Sequence, residues 1–199
     1  MIDLFLSEDY KIVLDRDGEV RYYPHFLEDD YFDLLNSQIE WRQDQITLYG
    51  KTHDVPRLQA WYGDEGVEYG YSNIPLSPKP WTKSLLEIKS LVEQKTGHHF
   101  NGCLCNLYRT GRDYASWHSD DEPELGRNPV IASVSLGDTR KFVLKHKTNK
   151  GIEKVEIELE DKSLLLMLGS LQHHWKHQLN KTQKAVGPRI NLTFRKVIS

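Results

Sequence analysis

The chain has 199 residues, 38% hydrophobic and 28% charged, with a formal net charge of −3. That length holds one domain, or one domain with an extension, and five Trp, ten Tyr and six Phe supply enough apolar surface to exclude a disordered chain. The balance also excludes a strongly polycationic protein, but the charge is uneven: residues 1–33 carry ten acids and three bases, the remainder 23 bases and 19 acids.

The opening "MIDLFLSEDYKIVLDRDGEV" lacks a basic stretch followed by an apolar one, so no secretory signal is visible. No window approaches the roughly 18 apolar residues of a membrane span. In "HFLEDDYFDLLNSQIEW" (25–41), Phe26, Leu27, Tyr31, Leu34, Leu35 and Ile39 recur near helical spacing after Pro24 and predict a helix. Residues 48–81 are rich in Gly, Pro and Tyr and predict turns with short strands. "PWTKSLLEIKSLVEQKTG" (80–97) predicts a second helix, with Trp81, Leu85, Ile88 and Leu91 on its apolar face and Gly97 just past its end. Cys103 and Cys105 are two residues apart. On a strand they face one side and are poorly placed to bridge, so they read as reduced thiols of an intracellular protein.

From residue 103 onward strands dominate. Candidates are 103–109, 130–136, 141–146, 155–159, 163–168, 173–179 and 189–197, separated by turns such as "LGDT", "TNKG" and "EDKS". Many short strands with no intervening helix predict a mainly β fold with flanking helices, its core a double-sheet jelly roll with helices packed on one sheet. The expected division is an N-terminal extension over 1–102 and a β core over 103–199, within one compact domain.

"ASWHSDDEP" (115–123) raises the first chemical question. On extended chain His118 and Asp120 point the same way and could share an ion, but a polar turn would look the same. A metal needs further ligands, and "LQHHWKHQL" (171–179) offers His173, His174 and His177. Read as a strand, it places His173 and His177 on one face and His174 on the other. One such imidazole with His118 and Asp120 makes the two-His, one-carboxylate set that leaves open positions on Fe(II). A closed zinc site would need a fourth protein ligand. In "GPRINLTFRKV", Arg189, Asn191, Thr193 and Arg195 share one strand face and Ile190, Leu192 and Phe194 the other. Two inward arginines need an anion, and a small dicarboxylic acid suits them. Asn106 and Tyr108 also share a face. Iron beside a basic pocket suits an oxygenase using 2-oxoglutarate.

The order His118-x-Asp120, then His177, Arg189 and Arg195, resembles the AlkB family of Fe(II)/2-oxoglutarate dioxygenases, in particular its DNA-repair branch. "NLYRTGRDYASWHSDDEPEL", "HHWKHQL" and "GPRINLTFR" carry the likeness, and "YGKTHDVPRLQAWYGD" extends it upstream, so that it covers about residues 45 to 197. The resemblance implies His118, Asp120 and His177 as iron ligands. It implies Asn106, Tyr108, Arg189, Thr193 and Arg195 as 2-oxoglutarate contacts, to which Asn191 is added from its strand face. Asp121 and Glu122 match positions that approach a flipped base, and Tyr69, Gly70 and Tyr71 match a nucleotide-recognition lid. Tyr49, Gly50 and Lys51 match a duplex-probing hairpin, with Tyr49 where a base-replacing wedge would sit. Arg57 matches a residue near the opposite or flanking strand. The implied cofactors are Fe(II) and 2-oxoglutarate, with O2 as co-substrate. The implied activity is oxidative demethylation of bases of the 1-methyladenine and 3-methylcytosine type in DNA, releasing succinate, carbon dioxide and formaldehyde. RNA demethylation, or hydroxylation of a protein or small molecule, is the alternative. A monomer acting on DNA, away from membranes, is expected, in the cytoplasm of a source without a nucleus and otherwise in the nucleus.

Overall fold

The computed structural model describes residues 9–48, 50–71 and 74–198. In chain order the strands are β1 (Lys11–Asp15), β2 (Glu19–Tyr23), β3 (Gln45–Leu48), β4 (Lys51–Asp54), β5 (Leu58–Gly63), β6 (Tyr69–Tyr71), β7 (Ile74–Leu76), β8 (Gly102–Tyr108) and β9 (Ala115–His118), followed by β10 (Ile131–Gly137), β11 (Arg140–His146), β12 (Val155–Leu159), β13 (Ser163–Leu168), β14 (Trp175–Leu179) and β15 (Arg189–Arg195). The helices are α1 (Phe32–Gln38), α2 (Lys83–Thr96) and the single turn α3 (Leu171–His174), with a 3-10 turn at Pro123–Leu125.

The strands form two antiparallel layers. The major sheet has the order β1-β2-β13-β10-β15-β8-β5 and the minor sheet β12-β11-β14-β9, while β3-β4 and β6-β7 are separate hairpins. This is the expected jelly-roll core. Its major sheet is buried on both faces, which explains why β13 reads as the unbroken apolar run "SLLLML". Leu164 and Leu166 join the layer beneath α1 and α2, whereas Leu165 and Met167 turn the other way into the space between the sheets. The same alternation sends Ile190, Leu192 and Phe194 of β15 and Cys103, Cys105 and Leu107 of β8 toward the helices. Arg189, Asn191, Thr193, Asn106 and Tyr108 are left facing inward. The two thiols are buried and free, 3.9 Å apart.

Several expectations change. The N-terminal segment extends the major sheet, β2 pairing with β13 and β1 with β2, and β5 pairs with β8. Strands on both sides of residue 102 therefore share one sheet. The helix expected over 25–41 is confined to Phe32–Gln38, because His25 takes a positive φ of 56° and the chain from Pro24 to Tyr31 turns instead; Leu34 is exposed. Helix α2 starts later than expected, at the Thr82 cap whose side chain accepts from the Leu85 N–H, and ends on Gly97 at φ 73°. Its buried stripe is Leu85, Ile88 and Val92, and Leu91 is exposed. Residues 171–174 coil into α3, so His173 and His174 are exposed on a helical turn and share no strand face with His177.

Candidate active site

The minor sheet brings the two histidines together. His118 ends β9 and His177 lies directly across from it on β14. Cross-strand partners share a face, and their Nε2 atoms are 3.1 Å apart. Asp120 lies just beyond the strand, where its backbone N–H donates to Gln172 Oε1 at 2.9 Å, while the Ser119 hydroxyl donates to the Trp175 carbonyl at 2.8 Å. Thus α3 and the start of β14 fix the turn that aims the carboxylate. Its oxygens lie 4.0 Å from His118 Nε2 and 3.8 Å from His177 Nε2. One ligand atom from each of the three residues falls within 4.8 Å of the others.

Protonation favours a cation there. His118 Nδ1 lies 2.7 Å from the Ser116 carbonyl, which can only accept, so Nδ1 carries the proton and Nε2 presents its lone pair. Burial pushes the His177 imidazole down to about 3, and its proximity to His118 adds to the shift. Burial also lowers His118, although the ring keeps an exposed edge. Burial alone would raise Asp120, but Arg195, with the two imidazoles, holds its carboxyl well below the usual range. Two neutral imidazoles and one carboxylate are the donor set of a 2-His-1-carboxylate Fe(II) site. His177 also stacks on Phe142 with 5.2 Å between ring centroids.

Behind the triad is an inner chamber of about 60 Å³, lined by Asn106, Tyr108, Arg189, Asn191 and Thr193. Arg189 is buried, its Nη2 donates to Ser135 Oγ at 2.9 Å, and its guanidinium lies 5.3 Å from the Tyr108 ring centroid. Burial lowers its pKa to about 10. Arg195 donates through Nη2 to Asp120 Oδ1 at 2.8 Å and faces the Tyr69 ring. Burial works against its charge, but Asp120 more than compensates and raises its pKa. Arg189 Nε and Arg195 Nε and Nη1 are buried without a protein acceptor. Buried donors of this kind are costly unless an anion meets them, which is the fit expected of a small dicarboxylate.

Asn191 lines the chamber, but its amide donates to Ser133 Oγ and the Val134 carbonyl and accepts from Thr193 Oγ1, so its polar groups tie β15 to β10. Asn106 Oδ1 accepts from Gln59 Nε2 at 2.9 Å and Arg57 Nε at 2.8 Å. Arg57, expected near the opposite or flanking strand of a bound nucleic acid, lines both the inner chamber and the outer cleft.

The outer cleft, of about 540 Å³, lies on the other side of His118 and Asp120 and is lined by Tyr69, Asp121 and Glu122 among others. Tyr69 is buried, its ring 4.8 Å from that of Trp61, and burial raises its hydroxyl pKa. Burial, then the charge of Asp120, raises Glu122. Asp121 is exposed and paired with Lys147 at 3.0 Å. Gly70 lies on β6 of the β6-β7 hairpin, as does the backbone of Tyr71. Gly50, at φ 75°, and Lys51 lie at the turn of the exposed β3-β4 hairpin, and Tyr49 falls outside the described residues.

Sequence reasoning missed Ser133, Ser135, Phe142 and Gln172. The alternation in "VIASVSL" could have placed Ser133 and Ser135 on the inward face. Nothing local to Phe142 or Gln172 marks them.

Residues 19–195 match the family model described as the 2OG-Fe(II) oxygenase superfamily. The bovine "Alpha-ketoglutarate-dependent dioxygenase alkB homolog 3" is 44% identical over 85% of this chain and 61% of its own length. The human protein of the same name is 41% identical over 94% of this chain and 70% of its own length. The bovine "DNA oxidative demethylase ALKBH2" is 41% identical over 85% of this chain and 64% of its own length. The chain therefore spans about three fifths to two thirds of the bovine relatives. A solved structure titled "The structure of OsALKBH1", with a TM-score of 0.62 and 19% identity over 89% of this chain and 97% of that one, supports the fold alone. The family's cofactors, Fe(II) and 2-oxoglutarate, fit the donor triad and the anion-seeking chamber behind it. By the match over nearly its whole length and by its curated relatives, this chain belongs to the AlkB family of 2OG-Fe(II) oxygenases.

Proposed function

We propose that the protein oxidatively removes N-linked methyl groups from bases in DNA. The observation that carries this reading is the position of the triad as a wall: His118 and Asp120 border both the small, cationic inner chamber and the larger outer cleft. A bound Fe(II) would let O2 oxidise both partners, one oxygen atom going into 2-oxoglutarate as it becomes succinate and carbon dioxide and the other into a C–H bond of the methyl group, whose hydroxymethyl product leaves the base as formaldehyde. Everything else falls to the protein's side chains. Arg189 and Arg195 neutralise the dicarboxylate, and Asn106, Tyr108 and Thr193 shape its seat. Arg195 also holds Asp120 ionised, and Ser116 fixes the His118 tautomer. Arg57, bonded to Asn106, couples the two compartments.

The outer cleft receives a base that has left the stack. Tyr69 and the β6-β7 hairpin cover it, and the β3-β4 hairpin approaches the strand. Asp121 and Glu122 supply the negative potential that favours a cationic methylated base, such as 1-methyladenine or 3-methylcytosine, over its neutral parent. The relatives named as DNA oxidative demethylases support DNA as the polymer. The test is formaldehyde release from methylated single-stranded DNA, duplex DNA and RNA in the presence of Fe(II) and 2-oxoglutarate. Release from DNA is expected; none from any of the three would refute the reading.

A further inference from the structure

The solvent face of the minor sheet carries a row of positive charge that the site described above does not use. Lys145 on β11 and Lys176 on β14 are direct cross-strand partners, one step along from the Leu144–His177 pair. Because faces alternate, they project away from the triad. Like charges placed directly opposite are destabilising unless something between them is negative. A third lysine, Lys154, stands just before β12, and the Lys145 and Lys154 ammonium groups lie 4.1 and 6.0 Å from the ring of Trp117 on β9. Among the described residues none of the three has a carboxylate at ion-pair distance. Their neighbours do: Lys141 pairs with Glu156 at 2.6 Å and Lys147 with Asp121 at 3.0 Å. The protein thus balances lysines beside this row and leaves the row itself unbalanced.

The row is continuous with the active site. Strand β9 is the free edge of the minor sheet. Trp117 and Lys176 line the mouth of the outer cleft, which therefore wraps over that edge onto the lysine face. We propose that Trp117, Lys145, Lys154 and Lys176 form a seat for the phosphodiester backbone of a single DNA strand leaving the outer cleft. In this seat Trp117 holds the two ammonium groups over its ring by cation–π attraction, and phosphates occupy the gap between Lys145 and Lys176. A flexible polyanion satisfies both observations, the uncompensated row and its continuity with a base-sized cleft. This inference rests on the nucleic-acid reading above, and the experiment separates the two.

The test compares the parent protein with the triple variant Lys145→Ala, Lys154→Ala, Lys176→Ala, and with Trp117→Ala, on two substrates: a methylated trinucleotide and a methylated single-stranded oligonucleotide several times longer. Binding of the longer strand is followed by fluorescence anisotropy across a salt series. Each phosphate contact on a single strand contributes about 0.7 to the slope of log K against log salt, so three lysines account for about 2. The triple variant is expected to lose about that much slope and to raise KM for the longer strand about ten-fold with kcat unchanged, while the double variant Lys145→Ala, Lys154→Ala, which keeps Lys176 at the cleft, loses about two thirds of that slope and retains the parent's trinucleotide turnover. Trp117→Ala is expected to raise KM less, because the lysines remain but are no longer held. Equal slopes and equal KM in parent and triple variant would overturn the seat and assign the row to an acidic protein surface. Formaldehyde from neither substrate with the parent protein would refute the demethylase reading instead. Unchanged trinucleotide turnover in the double variant also excludes misfolding as the cause of its loss on the longer strand.

Discussion

The inner chamber and the outer cleft share two iron-ligand positions but are built in different ways. The chamber is made from strand interiors. Asn106 and Tyr108 on β8 and Arg189, Asn191 and Thr193 on β15 sit in antiparallel register, and Asn106 and Asn191 are themselves cross-strand partners. Among its lining residues, the buried side-chain polar atoms without a protein partner are Arg189 Nε, which awaits an anion, and His177 Nδ1. The cleft is walled by hairpins, a post-strand turn and an edge strand, and Asp121 and Lys176 in it are exposed. Chemistry that must not vary is therefore held by the sheets, and recognition is carried by segments that can be changed without disturbing them.

The largest effect that would break this contrast is at the metal triad. His177→Ala is expected to reduce formaldehyde release to background and to abolish tight iron retention, measured by metal analysis after desalting. Retained turnover would remove the metal assignment. Next is Arg195→Ala. Removing one partner of a buried pair leaves Asp120 as an uncompensated charge, at a cost of about 3–5 kcal/mol, read as a large fall in the unfolding midpoint. Arg189→Ala is expected to cost less stability but to weaken 2-oxoglutarate by about 1.5–3 kcal/mol, roughly ten- to 150-fold in KM for the cosubstrate. An unchanged KM would exclude this chamber as its seat.

The pH dependence sharpens the same contrast. His177 is depressed from 6.5 to about 3 by burial, so below pH 6.5 the unfolded chain takes up a proton that the folded, metal-free protein refuses. Its stabilising contribution is full above pH 6.5 and is lost progressively as pH falls toward 3. Urea midpoints of the metal-free protein should decline over that window, and His177→Phe should flatten the decline. In the outer cleft effects are smaller. Tyr69→Phe removes the hydroxyl beside Glu122 and is expected to cost about 1 kcal/mol, a several-fold rise in KM for the methylated strand with the 2-oxoglutarate KM unchanged. Asp121→Asn with Glu122→Gln should narrow the preference for a cationic over a neutral methylated base; an unaltered preference would remove these acids from base selection.

How much was legible in the sequence follows the same division. The period-two faces of β8 and β15 were readable because both strands are straight and buried on both sides, so polar residues on one face stand out against apolar ones on the other. The triad was readable only as a set, since the His118–Asp120 spacing also fits a turn. His173 and His174 were misplaced because α3 is a single turn, shorter than any periodicity can reveal. Strands β1 and β2 were missed because "KIVLD" and "EVRYY" are short, charged segments at one end of the sheet, β2 held by pairing with β13 and β1 by pairing with β2. The helix over 25–41 was overextended because apolar spacing continued through residues that turn at His25. The bond between Arg57 and Asn106 was not legible because the two are 49 positions apart, a separation no local pattern encodes.

The central claim is that His118 and Asp120 form the common wall of a 2-oxoglutarate chamber and a base-receiving cleft, and that His177 completes the triad from the chamber side. Its most direct test measures succinate and formaldehyde together, with methylated single-stranded DNA, in the parent protein and in Arg189→Ala. The account predicts equal amounts of the two products in the parent, and in the variant a parallel loss of both that high 2-oxoglutarate restores. Formaldehyde released without 2-oxoglutarate, or a variant indistinguishable from the parent at limiting 2-oxoglutarate, would contradict it.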